Sequence, residues 1–409
     1  MERRQVVVSG IGVITSIGRD LSEFTHALRD GKDGISKIEG FDTSGIRSCF
    51  GGEIKQCFDE RDGLSLNRKP VDRASALVLT TAREAWRESR LRPEGIDRRK
   101  AGVYLGSCGG GFLNGFRYFA KIARKQRGNA NFLMDLPLHA AASRVACEYG
   151  LEGPVSTVSN ACASSAIAMA YGAELIRSGK AELMLVGGFD ALTPLNLVGF
   201  GMMRNSSLSN RIRPFDRKRD GMLLGEGAAV LVLEELSHCQ RRGGTIRANF
   251  LGWGITSDTF HMTAPDPSGR GAARAMEMAL TEAGVEKASV SYINAHGTGT
   301  LHNDVMETAA IKRTFGKKAY EIPISSTKSM IGHTLGAAGA LELVASIAAM
   351  NDGFIPPTIN YESKDPKCDL DFVPNRSRRA PLKVILSNSF GFAGTNCSIV
   401  AGHPSLWSG

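Results

Sequence analysis

Along this chain, short apolar runs that end in glycine alternate with longer stretches in which apolar side chains recur at helical spacing. Gln5 to Thr15 predicts a strand entering a glycine turn. From Val71 to Leu91, the residues Ala74, Leu77, Val78, Thr81 and Ala85 mark the buried face of a helix whose other face carries Arg and Glu. Gly102 to Gly111 reads as a strand ending in a glycine-rich loop. Val155 to Val158 reads as a short buried strand, Ser159 and Asn160 as turn and cap, and the small residues Ala163 to Ala173 as a tightly packed helix. Ala181 to Gly188 and Gly225 to Glu234 add two strands, and Arg241-Arg-Gly-Gly244 reads as a charged, flexible linker.

After that linker the order of elements starts again. Ile246 to Gly254 predicts a strand entering a glycine turn, and Arg270 to Ala283 a helix with Ala272, Ala275, Met276 and Ala279 on its apolar face. Val290 to Thr300 predicts a strand ending in a polar glycine loop. Ile322 to Met330 and then Leu335 to Met350 repeat the strand, turn and small-residue helix around Cys162. Lys383 to Asn388 and Asn396 to Ala401 close the chain as a strand pair. The two parts, 1–244 and 245–409, read as one α/β unit written twice, which would bring the Cys162 turn to face the polar loops of the second half.

Composition narrows the class. A chain of 409 residues with 42% hydrophobic and 22% charged side chains has the balance of an ordinary globular protein. Eight cysteines without a C-x-x-C pair, and an N-terminus that runs directly into a strand, point to a reducing, cytoplasmic setting. No apolar run reaches the roughly 20 residues that a bilayer requires, so no membrane role is expected. The formal charge of +9 asks for an acidic partner, but the basic residues fall in separate short clusters with no nucleic-acid-binding pattern. Nucleic acid is therefore not the expected partner. Gly10-Ile-Gly12 lacks the third glycine of a dinucleotide fingerprint, and the 106–111 loop lacks the Lys-Ser/Thr of a phosphate loop.

Candidate chemistry gathers at three places. Cys162 falls at a strand-to-helix turn, where the helix dipole and free N–H groups favour a thiolate nucleophile. His296 and His333 lie in glycine-rich loops through which backbone can approach a ligand. Such a Cys-His-His set suits thioester chemistry: the sulfur attacks an acyl carbonyl, and two imidazole N–H groups stabilise the oxyanion formed when a second, carboxylated substrate loses carbon dioxide. A cysteine hydrolase ordering Cys162, His296 and Asn388 is a rival. A zinc site is a weaker one, since the three residues lack short ligand spacing and no metal is expected.

Four motifs, spread over nearly the whole chain, add a resemblance. Asn160-Ala-Cys-Ala-Ser-Ser165, His296-Gly-Thr-Gly-Thr300, Lys328-Ser-Met-Ile-Gly-His333 with Gly336-Ala-Ala-Gly339, and Asn388 to Asn396 together resemble, in order, those of the elongating β-ketoacyl-(acyl-carrier-protein) synthases. The resemblance implies an α/β, duplicated thiolase-like fold of five αβαβα layers, a homodimer or a heterodimer with a ketosynthase-like chain, and decarboxylative condensation with malonyl-carrier protein. It implies no organic cofactor, the substrates riding on phosphopantetheine. By position it makes Cys162 the nucleophile, His296 and His333 the decarboxylation pair, and Lys328 and Glu342 their supporting ion pair. Phe392 becomes the gate and oxyanion-hole residue, Gly109, Phe200 and Phe390 line the acyl pocket or gate, and Thr298 and Thr300 contact the phosphopantetheine arm. An acidic acyl carrier protein becomes the expected partner of Arg68, Lys69, Arg73 and Arg204.

The chain departs from the family pattern at three places. Ala393 replaces a glycine in the gate loop, Gly109 replaces a larger apolar residue, and Leu301-His302 replaces a proline-containing continuation. These departures fit a specialised polyketide or polyene synthase as well as fatty-acid elongation. A noncatalytic partner resembling the chain-length factors is a further alternative, although that class generally lacks the cysteine retained here. The basic, aromatic segment from Phe112 to Phe132 is a candidate dimer or carrier-binding surface.

Overall fold

Ten strands join into one mixed sheet in the structure, a computed structural model that describes residues 4–55 and 71–407. In chain order they are β1 (Val6–Thr15), β2 (Ala101–Gly106), β3 (Val155–Val158), β4 (Leu183–Asp190), β5 (Gly227–Glu235), β6 (Ala248–Ser257), β7 (Tyr292–Asn294), β8 (Ile324–Ser325), β9 (Val384–Phe390) and β10 (Thr395–Gly402). They pair in the order β8-β7-β9-β10-β6-β1-β5-β4-β2-β3. Counted outward from the middle, each half places its first, fifth, fourth, second and third strands in the same sequence, so the repeat of elements along the chain is a repeat in space. Outer neighbours pair parallel and inner ones antiparallel in both halves.

The halves meet where β1 touches β6, at Val7 with Asn249 and Val8 with Ala248, and then diverge. Beyond that point β1 loses its strand partner on one edge. Side chains replace it: the Val13 N–H donates to Glu84 Oε2 at 2.8 Å, and the Ile11 N–H donates to Glu88. Buried N–H groups must find acceptors, and here helix carboxylates supply them. Burial pushes the Glu84 carboxyl up to about 7.

Helices complete five layers. α1 (Arg73–Ser89) and α2 (Ala140–Tyr149) pack on the outer face of the first half; α3 (Ser164–Arg177) lies in the middle; α4 (Arg270–Ala283) and α5 (Asn303–Phe315) pack on the outer face of the second half; α6 (Ala338–Asp352) joins α3 in the middle. α6 is buried from Ala338 through Met350, and α3 on most of its surface. Central helices of this kind must be apolar or small all round, as these are.

Gly10 and Gly12 correct the expectation of a glycine turn. Both lie inside β1, and a Cβ on them would stand 2.2 Å from the Ala85 carbonyl oxygen and 2.0 Å from that of Thr81. The second half repeats the device: a Cβ on Gly254 of β6 would meet the Ala275 oxygen of α4 at 2.1 Å. The glycines therefore let an outer helix press onto the first strand of each half.

Two further expectations change. β3 is the last strand of the sheet and not a buried one, and Val155 is 37% exposed, because only β2 pairs with it. The 241–244 segment is not a flexible linker. A short helix, Leu236–Arg241, leads into Arg242, whose guanidinium donates to both Glu234 oxygens (2.8 and 2.5 Å) and to the Ser89 carbonyl at 2.8 Å. Among the described residues, no helix is long and apolar enough to cross a membrane.

Replacing Gly12 with Ala is expected to cost about 2–3 kcal/mol through overpacking against backbone that cannot move aside. Gly95→Ala, where a Cβ meets nothing within 4 Å, is expected to stay within roughly 0.5 kcal/mol. Urea unfolding midpoints of the two variants check this.

Candidate active site

The cleft that opens between the halves is about 230 Å³ and is lined by Cys162, His296, His333, Thr298, Thr300, Phe390, Gly391 and Phe392 among others. Cys162 comes from the turn between β3 and α3. Ala161 there holds a left-handed backbone (φ 47), which costs a residue other than glycine about 1 kcal/mol or more. The Ser164 hydroxyl pins that turn, accepting from the Asn160 N–H at 2.8 Å and donating to the Ala161 carbonyl at 2.6 Å. Neither Ser159 nor Asn160 caps α3, which begins at Ser164 without a side-chain cap.

Burial overturns the expected thiolate. Cys162 is 5% exposed, and desolvation pushes its thiol up to about 12, with Glu342 and Asp190 adding to the rise and only partly offset by Lys328. A dipole end counts for less than taking a charged sulfur out of water. Cys162 therefore rests as a neutral thiol.

Behind the cleft, the Lys328 ammonium uses all three of its donors. It donates to the His296 carbonyl oxygen at 2.6 Å, to His296 Nδ1 at 3.2 Å and to Glu342. Lys328 and Glu342 are each 1% exposed, so neither charge survives there without the other. Since an ammonium can only donate, His296 Nδ1 accepts and the ring proton sits on Nε2. The Leu335 N–H donates to His333 Nδ1 at 3.2 Å and fixes the same tautomer on the second ring. The rings lie 5.4 Å apart, centroid to centroid, at 83°. Burial first, then the Lys328 charge, holds both imidazoles well below their ordinary value, so both are neutral. Two neutral rings with Nε2–H can donate together to one oxygen.

Three further residues hold this framework, and two of them, Glu307 and Asp190, have no signature in sequence. Glu307 of α5 accepts the N–H groups of His296 and Gly297, both at 2.8 Å. Asn388 donates to Glu307 at 3.3 Å and accepts from Ser398 Oγ at 2.8 Å, so it supports the histidine loop and does not contact an imidazole as a hydrolase triad would require. Asp190 accepts from Ser107 Oγ and from the N–H groups of Cys108, Gly109 and Gly336 at 2.7–2.9 Å, tying the glycine-rich loop to the turn after His333. The only hint was an acidic residue ending an apolar strand.

Two of the residues expected to form a gate, Phe200 and Phe392, fall as a stack. Phe392 lies 5.8 Å from Phe200, and both pack on an apolar cluster that includes Leu192, Leu197, Met222, Leu224 and Leu335. Phe390 is 6% exposed and 5.7 Å from His296. A Cβ on Gly391 would stand 3.3 Å from the Cys162 amide nitrogen, which brings the 390–394 turn against Cys162. Ala393 adopts φ 62, the left-handed region a glycine occupies without strain, and its N–H donates to the Met262 carbonyl at 2.8 Å. A Cβ on Gly109 would meet nothing nearer than Asp190 Oδ1 at 3.5 Å, so there is room at this position.

The basic residues separate. Arg68 and Lys69 lie outside the described residues. Arg73 donates to both oxygens of Glu226 (2.8 and 2.5 Å) and to the Ile54 carbonyl, so its charge is engaged internally. Arg204 is exposed at the cleft mouth. Among the described residues, no group of three or more His, Cys, Asp or Glu side chains is arranged to hold a metal ion.

A duplicated, layered α/β fold with a cysteine and two histidines converging from its two halves defines a thiolase-like condensing enzyme. The chain belongs to the β-ketoacyl synthase family: residues 3–239 match its N-terminal domain and 247–362 its C-terminal domain. It is 40% identical over 411 residues to the 3-oxoacyl-[acyl-carrier-protein] synthase 2 of Coxiella burnetii, covering 98% of this chain and 99% of that one. It is 41% identical over 420 residues to the tetracenomycin polyketide synthase ketoacyl synthase alpha subunit of Streptomyces glaucescens, covering 98% and 97%. Among solved structures, the ishigamide ketosynthase/chain length factor superposes with a TM-score of 0.92 at 35% identity, covering 98% of this chain and 99% of that one.

Two measurements check this geometry. The alkylation rate of Cys162 by iodoacetamide is expected to keep rising with pH beyond 9, whereas a helix-activated thiolate would plateau near neutrality. Lys328→Met is expected to cost about 3–5 kcal/mol by stranding Glu342. That deficit shrinks as pH falls, because the stranded carboxyl then takes a proton in the fold more readily than in the unfolded chain. Lys328→Met combined with Glu342→Leu should recover most of it.

Proposed function

We propose that the chain condenses a Cys162-bound acyl group with malonyl-acyl-carrier protein, releasing carbon dioxide and a β-ketoacyl-carrier thioester. The observation that carries this reading is the pair of neutral histidines, both with Nε2–H, sharing a cleft with the buried thiol. A hydrolase has no use for two identical donors, and the Asn388 contacts favour condensation further.

In the first half-reaction, Cys162 Sγ bonds to the acyl carbonyl carbon while its proton passes to the departing carrier sulfur. The N–H groups of Cys162 and Phe392 are suited to stabilise the tetrahedral oxyanion. In the second, the malonyl thioester oxygen receives hydrogen bonds from His296 and His333 as the carboxylate leaves as carbon dioxide, and the electron pair stays as an enolate. The enolate carbon attacks the Cys162 thioester carbonyl, and Cys162 leaves as a thiolate and takes up one proton. Neutral donors suit this step, since imidazolium would protonate the enolate and waste it.

Lys328 and Glu342 then act as positioning residues, Thr298 and Thr300 contact the phosphopantetheine arm, and Phe392 with Phe200 and Phe390 gates an acyl pocket that Gly109 enlarges. We read 1–244 and 245–409 as the two halves of the duplication. An acidic carrier protein is the partner, and a second copy or a ketosynthase-like chain completes the dimer. The substrates bring their own phosphopantetheine, so the reaction calls for no further cofactor.

Intact-protein mass tests the assignment. An acyl adduct is expected on the native chain and not on Cys162→Ala, and malonyl-carrier protein should convert it into a β-keto product two carbons longer. His333→Asn is expected to form the adduct yet slow decarboxylation by about 10²–10³-fold. Release of free acid in place of a condensed product would favour hydrolysis, and no adduct with any donor would favour a noncatalytic partner.

A further inference from the structure

We infer that Asp190 is the positioning residue for His333: a carboxylate of the first half that holds the turn whose backbone fixes the tautomer of a ring in the second half. The inference rests on the condensing reading above and deepens it. It names what keeps the second histidine donor in place, as Lys328 does for His296.

His333 is held in two separate ways. Its backbone pairs with the 223–225 segment: the His333 N–H donates to the Leu223 carbonyl at 2.8 Å, and the Gly225 N–H donates to the His333 carbonyl at 3.0 Å. Among the described residues, its ring has one hydrogen bond, from the Leu335 N–H to Nδ1 at 3.2 Å. Leu335 presents that N–H from a left-handed backbone (φ 52), a strain that glycine would not carry. A strained turn keeps its shape only where its surroundings hold it.

Asp190 supplies the hold. It ends β4 and is 1% exposed. Its Oδ2 accepts the N–H of Gly336, the residue after Leu335, at 2.7 Å, and the Cys108 N–H at 2.9 Å; its Oδ1 accepts the Ser107 hydroxyl and the Gly109 N–H, both at 2.8 Å. Three of these four partners are N–H groups that can only donate, so the site is built for a carboxylate. Among the described residues, no cation pairs with that carboxylate. Burial pushes its carboxyl up, and hydrogen bonds from the two loops pull it back. A buried charge held by donors alone ties those donors firmly together.

The base of this tie is the sheet itself. β2 and β4 pair as far as Gly106 with Gly188, the Ser107 N–H then donates to the Val158 carbonyl at 3.1 Å, and the Gly110 N–H closes onto Ser107 Oγ at 2.8 Å. Gly336 lies directly on that end of the sheet: a Cβ there would stand 2.7 Å from both Asp190 Oδ2 and the Cys108 nitrogen. His296 is held by different groups, Lys328 and Glu307, and neither bonds to Asp190. The two rings therefore answer to different anchors, and one can be loosened without the other.

The test reads both rings in one sample. In Asp190→Ala protein labelled with ¹⁵N-histidine, side-chain nitrogen shifts are expected to show His333 leaving the pure Nε2–H tautomer while His296 keeps it. Asp190→Asn, an isostere with a single acceptor oxygen, serves if the Ala variant does not fold, and should move His333 less but in the same direction. Ser107→Ala removes one donor from Oδ1, spares the Gly336 bond and should leave His333 as it is. In both Asp190 variants Cys162 should still take up an acyl group, while malonyl decarboxylation slows by about 10–100-fold. If His333 keeps its tautomer in every Asp190 variant that folds, the assignment is overturned. An equal change in both rings also overturns it, since Asp190 would then support the fold at large. If the native chain itself never condenses, the condensing reading fails, and the separate response of His333 still decides what Asp190 does.

Discussion

Everything at the centre of this molecule depends on one buried positive charge. The Lys328 ammonium cannot reach water, so its three donors must all be met within the fold, and Glu342, the His296 carbonyl and His296 Nδ1 meet them. That constraint does three things together. It neutralises a carboxylate on the central helix α6, it fixes where the His296 loop can lie, and it decides which nitrogen of His296 carries the proton. The same charge adds to the burial that keeps both imidazoles neutral, and it limits the rise in the Cys162 thiol without cancelling it.

The rest of the architecture delivers partners to that charge. α6 and α3 occupy the middle layer because they are apolar or small on every side, and the outer helices can press on the first strand of each half because glycine removes the side chains between them. Where β1 and β6 part, Glu84 and Glu88 stand in for the missing ladder, so the sheet can splay around its central helices without leaving buried N–H groups unmatched. Cys162 comes from one half, and His296 and His333 from the other. The Cys-His-His set is therefore only as well ordered as the packing between the halves.

Much of this was legible in the sequence, for reasons that can be traced. The helix from Arg270 to Ala283 has the predicted bounds, because its apolar spacing is regular and glycines flank it. Cys162 stood out by its place at a strand-to-helix turn, and His296 and His333 because they lie in glycine-rich loops that let backbone approach a ligand. Strand glycines misled, since a glycine read locally suggests a turn while Gly12 and Gly254 are set by a helix that arrives from elsewhere. Val155 read as buried because nothing in its sequence says that β3 ends the sheet. Glu307 and Asp190 were missed, and Asn388 was read as a triad candidate and not as a support of the histidine loop, because their partners lie 10 to 146 residues away. The thiolate expectation failed for a like reason: a dipole can be read from a local motif, but the desolvation that outweighs it belongs to the assembled core.

The measurement that tests this account most directly is the protonation state of His296 and His333, read from side-chain nitrogen shifts of protein labelled with ¹⁵N-histidine. Both rings are expected as neutral Nε2–H tautomers from about pH 5.5 to 8, with His296 losing that fixed tautomer in Lys328→Met. An imidazolium signal that titrates near 6.5 for either ring, or an Nδ1–H tautomer at His296, would contradict the claim that the Lys328 charge organises the site.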